Sequence, residues 1–301
     1  MARRKLKKAQ QNIIMLLLLL LGVGTLVYPD VANWLNENRE QRLIQEYNEM
    51  LALMREEEIE NELHRARVFN DGLSGIHVVD PFVPGSGSVR SAEYYSILNF
   101  DSIMGTIRIP SIRVNLPIRH GTSDEVLAIG AGHMENTPFP IGGYGNHAII
   151  TAHTGMINMT LFNDLHRLEI GEYFFVDVLG QTVVYQVDQR NTVFPHEIEV
   201  LVSYEDRDLI TLVTCTPYGI NSHRLLVRGT RVEYIPGMEY DITVVVTPIN
   251  VRLMIVIGFS VLFASIIWFY WKKKQEITNN IKFEKEFDQV YADWQKMQEN
   301  A

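Results

Sequence analysis

Two uninterrupted apolar runs lie near the ends of the chain. The first, IIMLLLLLLGVGTLVY, covers residues 13–28 without a charge, and the second, LMIVIGFSVLFASIIWFYW, covers residues 253–271. A helix needs roughly 20 apolar residues to cross the hydrocarbon core of a bilayer, with about 17 as the lower limit. The second run meets this requirement and the first nearly meets it, so the pattern predicts two transmembrane helices.

Basic residues stand at the outer ends of both runs. Five of the first eight residues are Lys or Arg, and Lys272, Lys273 and Lys274 follow the second run. Since Lys and Arg accumulate on the cytoplasmic side of a membrane, both termini are predicted to be cytoplasmic and the residues between the runs extracellular. We interpret the first run as an uncleaved signal anchor, because no convincing small-x-small cleavage site precedes Pro29; a cleaved signal peptide is the alternative.

The segment after the first run has a helical pattern that gives way to turn residues. Apolar side chains recur at helical spacing in residues 31–69, which predicts one or two amphipathic helices ending at Asn70-Asp71-Gly72. Residues 70–104 are rich in turn formers and are predicted to be a long loop. Loops of this length are usually functional or disordered.

From Gly105 onwards the pattern changes to short segments rich in Val, Ile, Thr and Tyr. Seven such segments are separated by turn residues: 106–110, 114–119, 147–153, 173–179, 182–189, 208–215 and 223–235. Many short strands at this spacing predict a β-sandwich or barrel rather than alternating βα units. Two segments break the pattern and are predicted to be short helices: 123–132, which begins with a Ser123 cap, and 159–166.

Composition narrows the possible functions. The net charge of −9 comes with no basic stripe or aromatic platform between the two runs, so nothing indicates binding to nucleic acid. Cys215 is the only cysteine, so no internal disulfide can form, and an extracellular thiol of this kind is either incidental or reactive. No second Cys and no His pair at ligand spacing indicates a metal site.

Strand parity suggests a partner for Cys215. If the segments before and after Gly219 and Ile220 pair as antiparallel neighbours, Cys215 and Arg224 lie opposite one another on the same face, and His223 points the other way. An arginine cannot serve as a base at neutral pH, but it can stabilise a thiolate or an oxyanion. A separate acid and base is then required, and histidine is the usual choice.

Two of the nine histidines bracket a predicted strand, NHAIITAH. His147 and His153 are six residues apart and therefore share parity, so periodicity does not choose between them. Position favours His153, because functional residues tend to lie where strands run out into loops. A buried, inert cysteine remains the alternative to a nucleophile on these observations alone.

The stretch TLVTCTPYGINSHRLLVRGTR closely resembles the active-site strand pair of sortases, which are membrane-anchored cysteine transpeptidases of Gram-positive surfaces. The form CTPYGINxHRLLVRG is similar to the pilus-assembly branch, class C. The segments GTIRIPSIRVNLPIRHGTSDEVLAIGAGHMENTPFPIGG and HAIITAHTGM resemble the opening strands and the histidine segment of the same family. The resemblance covers residues 70–235 and implies a mainly-β fold, a closed barrel of about eight strands with short helices.

The resemblance also implies roles for individual residues. It assigns Cys215 as nucleophile, His153 as general acid and base, and Arg224 as the residue that holds substrate and oxyanion. Class C sortases are similar to this chain in carrying an Asp-Pro-aromatic lid. Asp80-Pro81-Phe82 is thereby expected to cover the site, with Phe82 over Cys215 and Asp80 paired with Arg224.

The implied reaction is a double acyl transfer. A Leu-Pro-any-Thr-Gly type sorting signal is cleaved through a Cys thioester, and the acyl group passes to a lysine amine of a pilin subunit. No metal or organic cofactor is required, and the implied partners are pilins and other surface proteins with sorting signals. The alternatives are a housekeeping sortase that attaches proteins to cell-wall peptide, or a non-catalytic two-span scaffold.

Together these patterns predict seven consecutive regions. They are a cytoplasmic basic start (1–11), a transmembrane anchor (12–28), an extracellular helical region (29–69), the loop with the lid (70–104), the catalytic barrel (105–240), a second transmembrane helix (249–271) and a cytoplasmic tail (272–301).

Overall fold

The first apolar run continues without a break into the amphipathic segment that follows it. In the computed structural model, helix α1 spans Ala2–Leu53 and passes through Pro29, and helix α2 spans Glu56–Gly72. The end of α2 agrees with the turn predicted at residues 70–72. Two long helices therefore precede the β-rich region, as the periodicity predicts.

The structure describes residues 2–73, 80–83, 86, 91–156, 159–200, 206–235, 237 and 251–299. Parts of the predicted loop at 74–79, 84–85 and 87–90 lie outside the described residues, as do 238–250, where the predicted barrel ends and the second predicted span begins. The chain divides into two units: one is Pro29–Val246, and the other combines Met1–Tyr28 with Thr247–Ala301.

Eight strands close into a barrel. They are β1 (Ile103–Ile109), β2 (Val114–His120), β3 (Ala131–His133), β4 (His147–Thr151), β5 (Tyr173–Val178), β6 (Gln181–Val193), β7 (Leu209–Thr216) and β8 (His223–Val232). Their order around the barrel is β1-β2-β3-β4-β7-β8-β6-β5, and β5 pairs with β1. The closed barrel of about eight strands is confirmed.

Two local predictions need correction. The segment 123–132 forms a helix only at α4 (Asp124–Leu127), where the Ser123 hydroxyl accepts from the Val126 amide, and it then enters the short strand β3. The helix predicted at 159–166 is wrong: this stretch contains turns and a single 3₁₀ turn, Leu165–Arg167. Asn163 explains the second difference, because its side chain donates to the Met159 carbonyl that a helix would give to a backbone amide.

The predicted loop 70–104 contains one further helix among its described residues. Helix α3 spans Ala92–Ser96, and its N-terminus is capped by the Ser91 hydroxyl, which accepts from the Tyr94 amide at 3.2 Å. The Tyr94 ring is fully buried and stacks on Phe139 at a centroid distance of 5.2 Å. Local capping and aromatic packing thus attach this segment to the barrel.

Alternation along β7 separates two hydrophobic clusters. Ile210 and Leu212 belong to the main core, which also contains the buried aromatic rings of the barrel. Val213 belongs to a second, smaller cluster with Met134, Ile149 and Leu226, on the opposite face of the sheet. Cys215 shares the parity of Val213, so the thiol lies on the face that carries the smaller cluster.

The C-terminal half of α1 packs on the barrel through polar contacts as well as apolar ones. Glu40 forms a buried ion pair with Arg119 at 3.4 Å. The Tyr47 hydroxyl donates to the Met104 carbonyl at 3.3 Å and accepts from the Leu179 amide at 3.1 Å. These contacts fix the helix to strands β1 and β2 and to the turn after β5.

The C-terminal apolar run lies in one helix, α5, which spans Val251–Glu299. Over the described residues, one helical segment is long and apolar enough to cross a membrane, Leu17–Leu53 near the N-terminus. That segment supports membrane anchoring of the chain. The second span stays a prediction.

Candidate active site

The hairpin of β7 and β8 brings the predicted nucleophile and arginine together. Cys215 pairs directly with Arg224 in the antiparallel register, and both are 6% exposed. The turn between the strands includes Gly219, whose φ of +75° is in the left-handed region that favours glycine. The pairing predicted from parity is therefore confirmed.

His223 takes the opposite orientation, as parity predicts. It pairs with Thr216, and its ring packs against Phe194 at a centroid distance of 4.5 Å. The Ser222 hydroxyl lies 2.9 Å from its Nδ1 atom. His223 therefore lies on the face of the hairpin opposite the thiol, and Arg224 is the cation on the same face as the thiol.

The parallel pairing of β4 with β7 brings His153 to the same place. Thr151 pairs with Val213, and the Ala152 amide still donates to the Val213 carbonyl at 3.2 Å. Continuing this register by two residues places His153 level with Cys215. The structure thus brings together all three residues predicted to be catalytic.

His147 lies at the other end of the same strand. It is level with Leu209, and its Nε2 atom is 2.8 Å from the Thr211 hydroxyl, with the side chain almost completely buried. Six residues of extended strand separate it from His153, which corresponds to about 20 Å. This bonded histidine therefore lies far from the thiol.

The tripeptide Asp80-Pro81-Phe82 lies on the arginine and the histidine. The Asp80 carboxylate accepts from Arg224 Nε at 2.9 Å and from Nη2 at 2.8 Å, which makes a buried bidentate pair. The Phe82 ring lies 5.4 Å from the His153 ring, and the Arg224 guanidinium carbon is 5.0 Å from the Phe82 centroid. The predicted pairing of Asp80 with Arg224 is confirmed.

A turn holds the tripeptide in this position. The Asp80 carbonyl accepts from the Val83 amide at 3.3 Å and from the Ser86 hydroxyl at 2.7 Å. Phe82 also packs on the smaller cluster described above, which lies beside Cys215 on the sheet. We refer to Asp80-Pro81-Phe82 as the lid segment. That Phe82 covers the Cys215 sulfur stays a prediction.

Burial sets the charge state of the closed site. Burial raises the pKa of the Cys215 thiol to about 11, the Arg224 charge lowers it and the Asp80 carboxylate raises it. Burial also lowers the pKa of His153 below its usual value, and the Asp124 carboxylate opposes this shift. The thiol and the imidazole are therefore both neutral at neutral pH while Asp80 neutralises the guanidinium.

One residue that sequence reasoning missed links the two strands of the site. The Thr214 hydroxyl donates to the Ala152 carbonyl at 2.8 Å and is buried. The only signal in the sequence is its position directly before Cys215, with inward parity.

Among the residues that the structure describes, no group of three His, Cys, Asp or Glu side chains could hold a metal ion.

Comparison with known proteins places this site in a family. Residues 107–232 match the sortase domain family. The structure is similar to crystalline sortase C-1 from Streptococcus pneumoniae, with 41% identity and a TM-score of 0.62 over 64% of this chain and 100% of that one. It is also similar to the pilus-related sortase C of Group B Streptococcus, with 39% identity and a TM-score of 0.59 over 63% of this chain and 97% of that one.

A curated relative matches over a shorter stretch. Sortase A of Streptococcus agalactiae is 31% identical over 139 residues, which are 43% of this chain and 56% of the relative. The chain thus spans about half the length of that relative, whereas it covers the full sortase C-1 structure. With its eight-stranded barrel and its Cys, His and Arg at one end of the sheet, the chain belongs to the sortase family of cysteine transpeptidases.

Proposed function

We propose that this protein is a class C sortase that joins pilin subunits through isopeptide bonds. The observation that carries the proposal is the placement of Cys215 opposite Arg224 and level with His153, beneath a lid segment whose carboxylate binds the arginine. The similarity to two pilus-type sortases at about 40% identity supports the class.

The first half of the reaction is cleavage of a sorting signal of Leu-Pro-any-Thr-Gly type. With the lid segment open, the Cys215 thiol gives its proton to His153, the thiolate attacks the Thr carbonyl, and the Arg224 guanidinium stabilises the resulting oxyanion. The C–N bond to Gly then breaks, and the His153 imidazolium gives its proton to the leaving amine. The products are a thioester on Cys215 and a free Gly amine.

The second half transfers the acyl group to a lysine of the next pilin. Neutral His153 takes one proton from the attacking ammonium, the amine adds to the thioester carbonyl, its second proton passes to water, and the C–S bond breaks. An isopeptide bond forms and the Cys215 thiolate is released. Return of the proton from His153 to Cys215 restores the starting charges of both groups, so no cofactor is consumed.

The lid segment must move for this cycle to begin. Arg224 uses two of its donor nitrogens on Asp80, and the thiol pKa of about 11 leaves almost no thiolate at neutral pH. Departure of Asp80 frees the guanidinium and removes the carboxylate that raises the thiol pKa. We therefore infer a resting state that substrate binding opens.

We also propose that two helices hold the barrel outside the membrane with both termini in the cytoplasm. The apolar helical segment near the N-terminus supports the first span, and the apolar start of α5 supports the second. Anchoring the enzyme beside membrane-bound substrates raises their effective concentration and favours ligation over hydrolysis.

Protease added to intact cells tests this topology. Cleavage should occur in the 70–104 loop, and the tail after Lys274 should be spared. Loss of the tail under these conditions would place the C-terminus outside and refute the topology.

A housekeeping sortase, which attaches proteins to cell-wall peptide, is the second candidate. The curated match to a sortase A favours it. The acceptor distinguishes the two: full-length protein in membranes is given one sorting-signal donor together with a pilin and an amine-bearing cell-wall peptide. Covalent pilin multimers that Cys215→Ala and Arg224→Ala abolish support the class C assignment, whereas transfer to the wall peptide alone refutes it.

A further inference from the structure

The orientation of His153 depends on its backbone rather than on a partner for its ring. Among the described residues, the imidazole forms no hydrogen bond, and its ring contact is with Phe82 of the lid segment. When the lid segment moves, that contact is lost. Of the described groups, the Asp124 carboxylate still acts on the ring through its charge, so the close contacts that hold His153 must come from the segment that leaves the sheet after β4.

That segment returns on itself through the side chain of Asn163. The Asn163 Oδ1 atom accepts from the Gly155 amide at 2.7 Å and from the Thr154 hydroxyl at 3.3 Å, and Nδ2 donates to the Met159 carbonyl at 3.2 Å. The two residues directly after His153 are thereby tied to one side chain.

Backbone contacts on either side complete the restraint. The Phe162 amide donates to the His153 carbonyl at 3.1 Å, so the residue before Asn163 binds the histidine itself. Gly155 has a φ of +84°, which allows the sharp reversal that brings its amide to Asn163. On the outer side, the Thr160 hydroxyl donates to Glu37 of α1 at 3.0 Å.

We infer that Asn163 is a positioning residue that holds His153 in place for proton transfer when the lid segment is open. The inference rests on the proposed role of His153 as general acid and base. Its three hydrogen bonds use both the oxygen and the nitrogen of the amide, and no other uncharged side chain of similar size offers both groups in this geometry. A displacement of about 1 Å at a catalytic group can cost a factor of about 100 in rate.

The test compares Asn163 with Asn146, which directly precedes β4. Asn163→Ala removes three hydrogen bonds behind His153, whereas Asn146→Ala removes one, from Nδ2 to the Gly142 carbonyl at 2.9 Å, just before the strand. Cleavage of a sorting-signal peptide by full-length protein is measured as kcat and KM. Asn163→Ala should lower kcat about tenfold to a hundredfold with KM nearly unchanged, and Asn146→Ala should leave kcat unchanged.

A second readout does not depend on turnover. In full-length protein with ¹³C-labelled histidine rings, the His153 signal, assigned by His153→Gln, should broaden or split in Asn163→Ala and stay as in the parent in Asn146→Ala. Asn163→Asp keeps the acceptor oxygen and loses the donor, so both readouts should fall between those of the parent and of Asn163→Ala. If Asn163→Ala fails to fold, Asn163→Asp takes its place in the comparison.

The outcomes separate the inference from the proposed function. A parent without turnover refutes the proposed function, while the ring signals still decide whether Asn163 orders His153. Equal kcat and equal His153 signals in Asn163→Ala and Asn146→Ala overturn the inference. A rise in KM alone would assign Asn163 to substrate binding and overturn it as well.

Discussion

The hydroxyl of Thr214 donates to the carbonyl of Ala152 at 2.8 Å. Thr214 directly precedes Cys215, and Ala152 directly precedes His153, so one buried hydrogen bond joins the backbone positions of the proposed nucleophile and the proposed acid and base. The relative position of sulfur and imidazole therefore depends on a contact that involves neither of them.

Replacing Thr214 with Val should separate the two strands of the site at this point. The shape is nearly conserved, but the Ala152 carbonyl loses its donor, which should cost about 1–3 kcal/mol of unfolding free energy. The rate of peptide cleavage should fall by about tenfold or more, because the hydrogen bond that fixes the distance between the sulfur and the imidazole is lost. Denaturant unfolding and cleavage kinetics measure the two effects.

Thr211→Val is the matched control. Thr211 lies on β7, as Thr214 does, and the substitution removes its contact with His147 at 2.8 Å. The free energy of unfolding should fall by a similar amount. Its cleavage rate should remain close to that of the parent, since His147 lies at the far end of β4. Equal loss of rate in both variants would mean that stability alone limits activity.

Asp80→Ala should make the Cys215 thiol more reactive. The substitution removes the carboxylate that raises the thiol pKa and frees Arg224 to lower it. Each unit by which the pKa falls gives tenfold more thiolate at a pH below the pKa. Alkylation by iodoacetamide at pH 8 should therefore be about tenfold faster, whereas the parent rate should keep rising with pH up to about 11.

Asp188→Ala serves as the control for this substitution. Asp188 also accepts two hydrogen bonds from one arginine, Arg228, at 2.9 Å each, but its partner is not the residue opposite Cys215. Its alkylation rate should match that of the parent. Equal rates for all three proteins would show that the lid segment does not protect the thiol in solution.

The stability of the barrel should fall in acid because His133 is buried in its neutral form. The ring lies between the Tyr94 hydroxyl at 2.9 Å and the Pro138 carbonyl at 2.8 Å, and burial lowers its pKa to about 3. Below about pH 6.5 this histidine takes up a proton in the unfolded chain but not in the folded chain. The contribution of neutral His133 to the free energy of unfolding is therefore fully present above that pH. It should then decrease by about 1.4 kcal/mol per pH unit as the pH falls towards 3.

The comparison for this effect is His133→Gln. Other groups also titrate in acid, so the quantity that matters is the difference between the two proteins in the slope of unfolding free energy against pH. We expect the variant slope to be shallower by about 1.4 kcal/mol per pH unit between pH 6 and 4. Parallel curves would contradict a neutral, buried His133.

The ion pair of Glu40 and Arg119 should hold α1 on the barrel at a net cost in desolvation. Burial raises the pKa of Glu40 despite the lowering effect of Arg119, so the arginine does not fully compensate the buried charge. Glu40→Leu alone should destabilise the fold by about 3–5 kcal/mol, because it leaves a buried cation unpaired. The double variant Glu40→Leu with Arg119→Met should recover most of that loss.

An exposed pair provides the contrast. Arg67 bonds Glu60 at 2.7 Å with both side chains about half exposed, and Glu60→Ala should cost less than about 1 kcal/mol. If Glu40→Leu proved equally mild in denaturant unfolding, the buried pair would not be a docking contact of α1.

Local pattern was sufficient for parts of the site whose geometry follows from strand alternation. The alternation of β7 and β8 and the turn residues between them determine that Cys215 faces Arg224. The choice between His147 and His153 does not follow from their own strand, since both have the same parity. It depends on which end of β4 lies level with Cys215, and the parallel pairing with β7 decides that.

Contacts made by tertiary packing were not predictable from pattern. Asn163 binds residues eight or nine positions earlier through a loop that has no periodicity, and the same side chain prevents the helix predicted at 159–166. Strand β3 has three residues and follows a capped helix, so its pattern is too short to distinguish from that helix. Asp80 reaches Arg224 across 144 positions, and only family resemblance indicated that pairing.

Mass spectrometry of a trapped intermediate tests most directly whether Cys215 carries the acyl group during transfer. The full-length Asp80→Ala variant is incubated with a Leu-Pro-any-Thr-Gly type peptide in the absence of an amine acceptor. The reaction is then quenched in acid and the protein is digested. The peptide that contains Cys215 should gain the mass of the substrate up to its Thr, lose it on treatment with hydroxylamine, and remain unmodified in Cys215→Ala. Cleavage of the substrate by Cys215→Ala, or binding of the substrate with no adduct on Cys215, would contradict the mechanism.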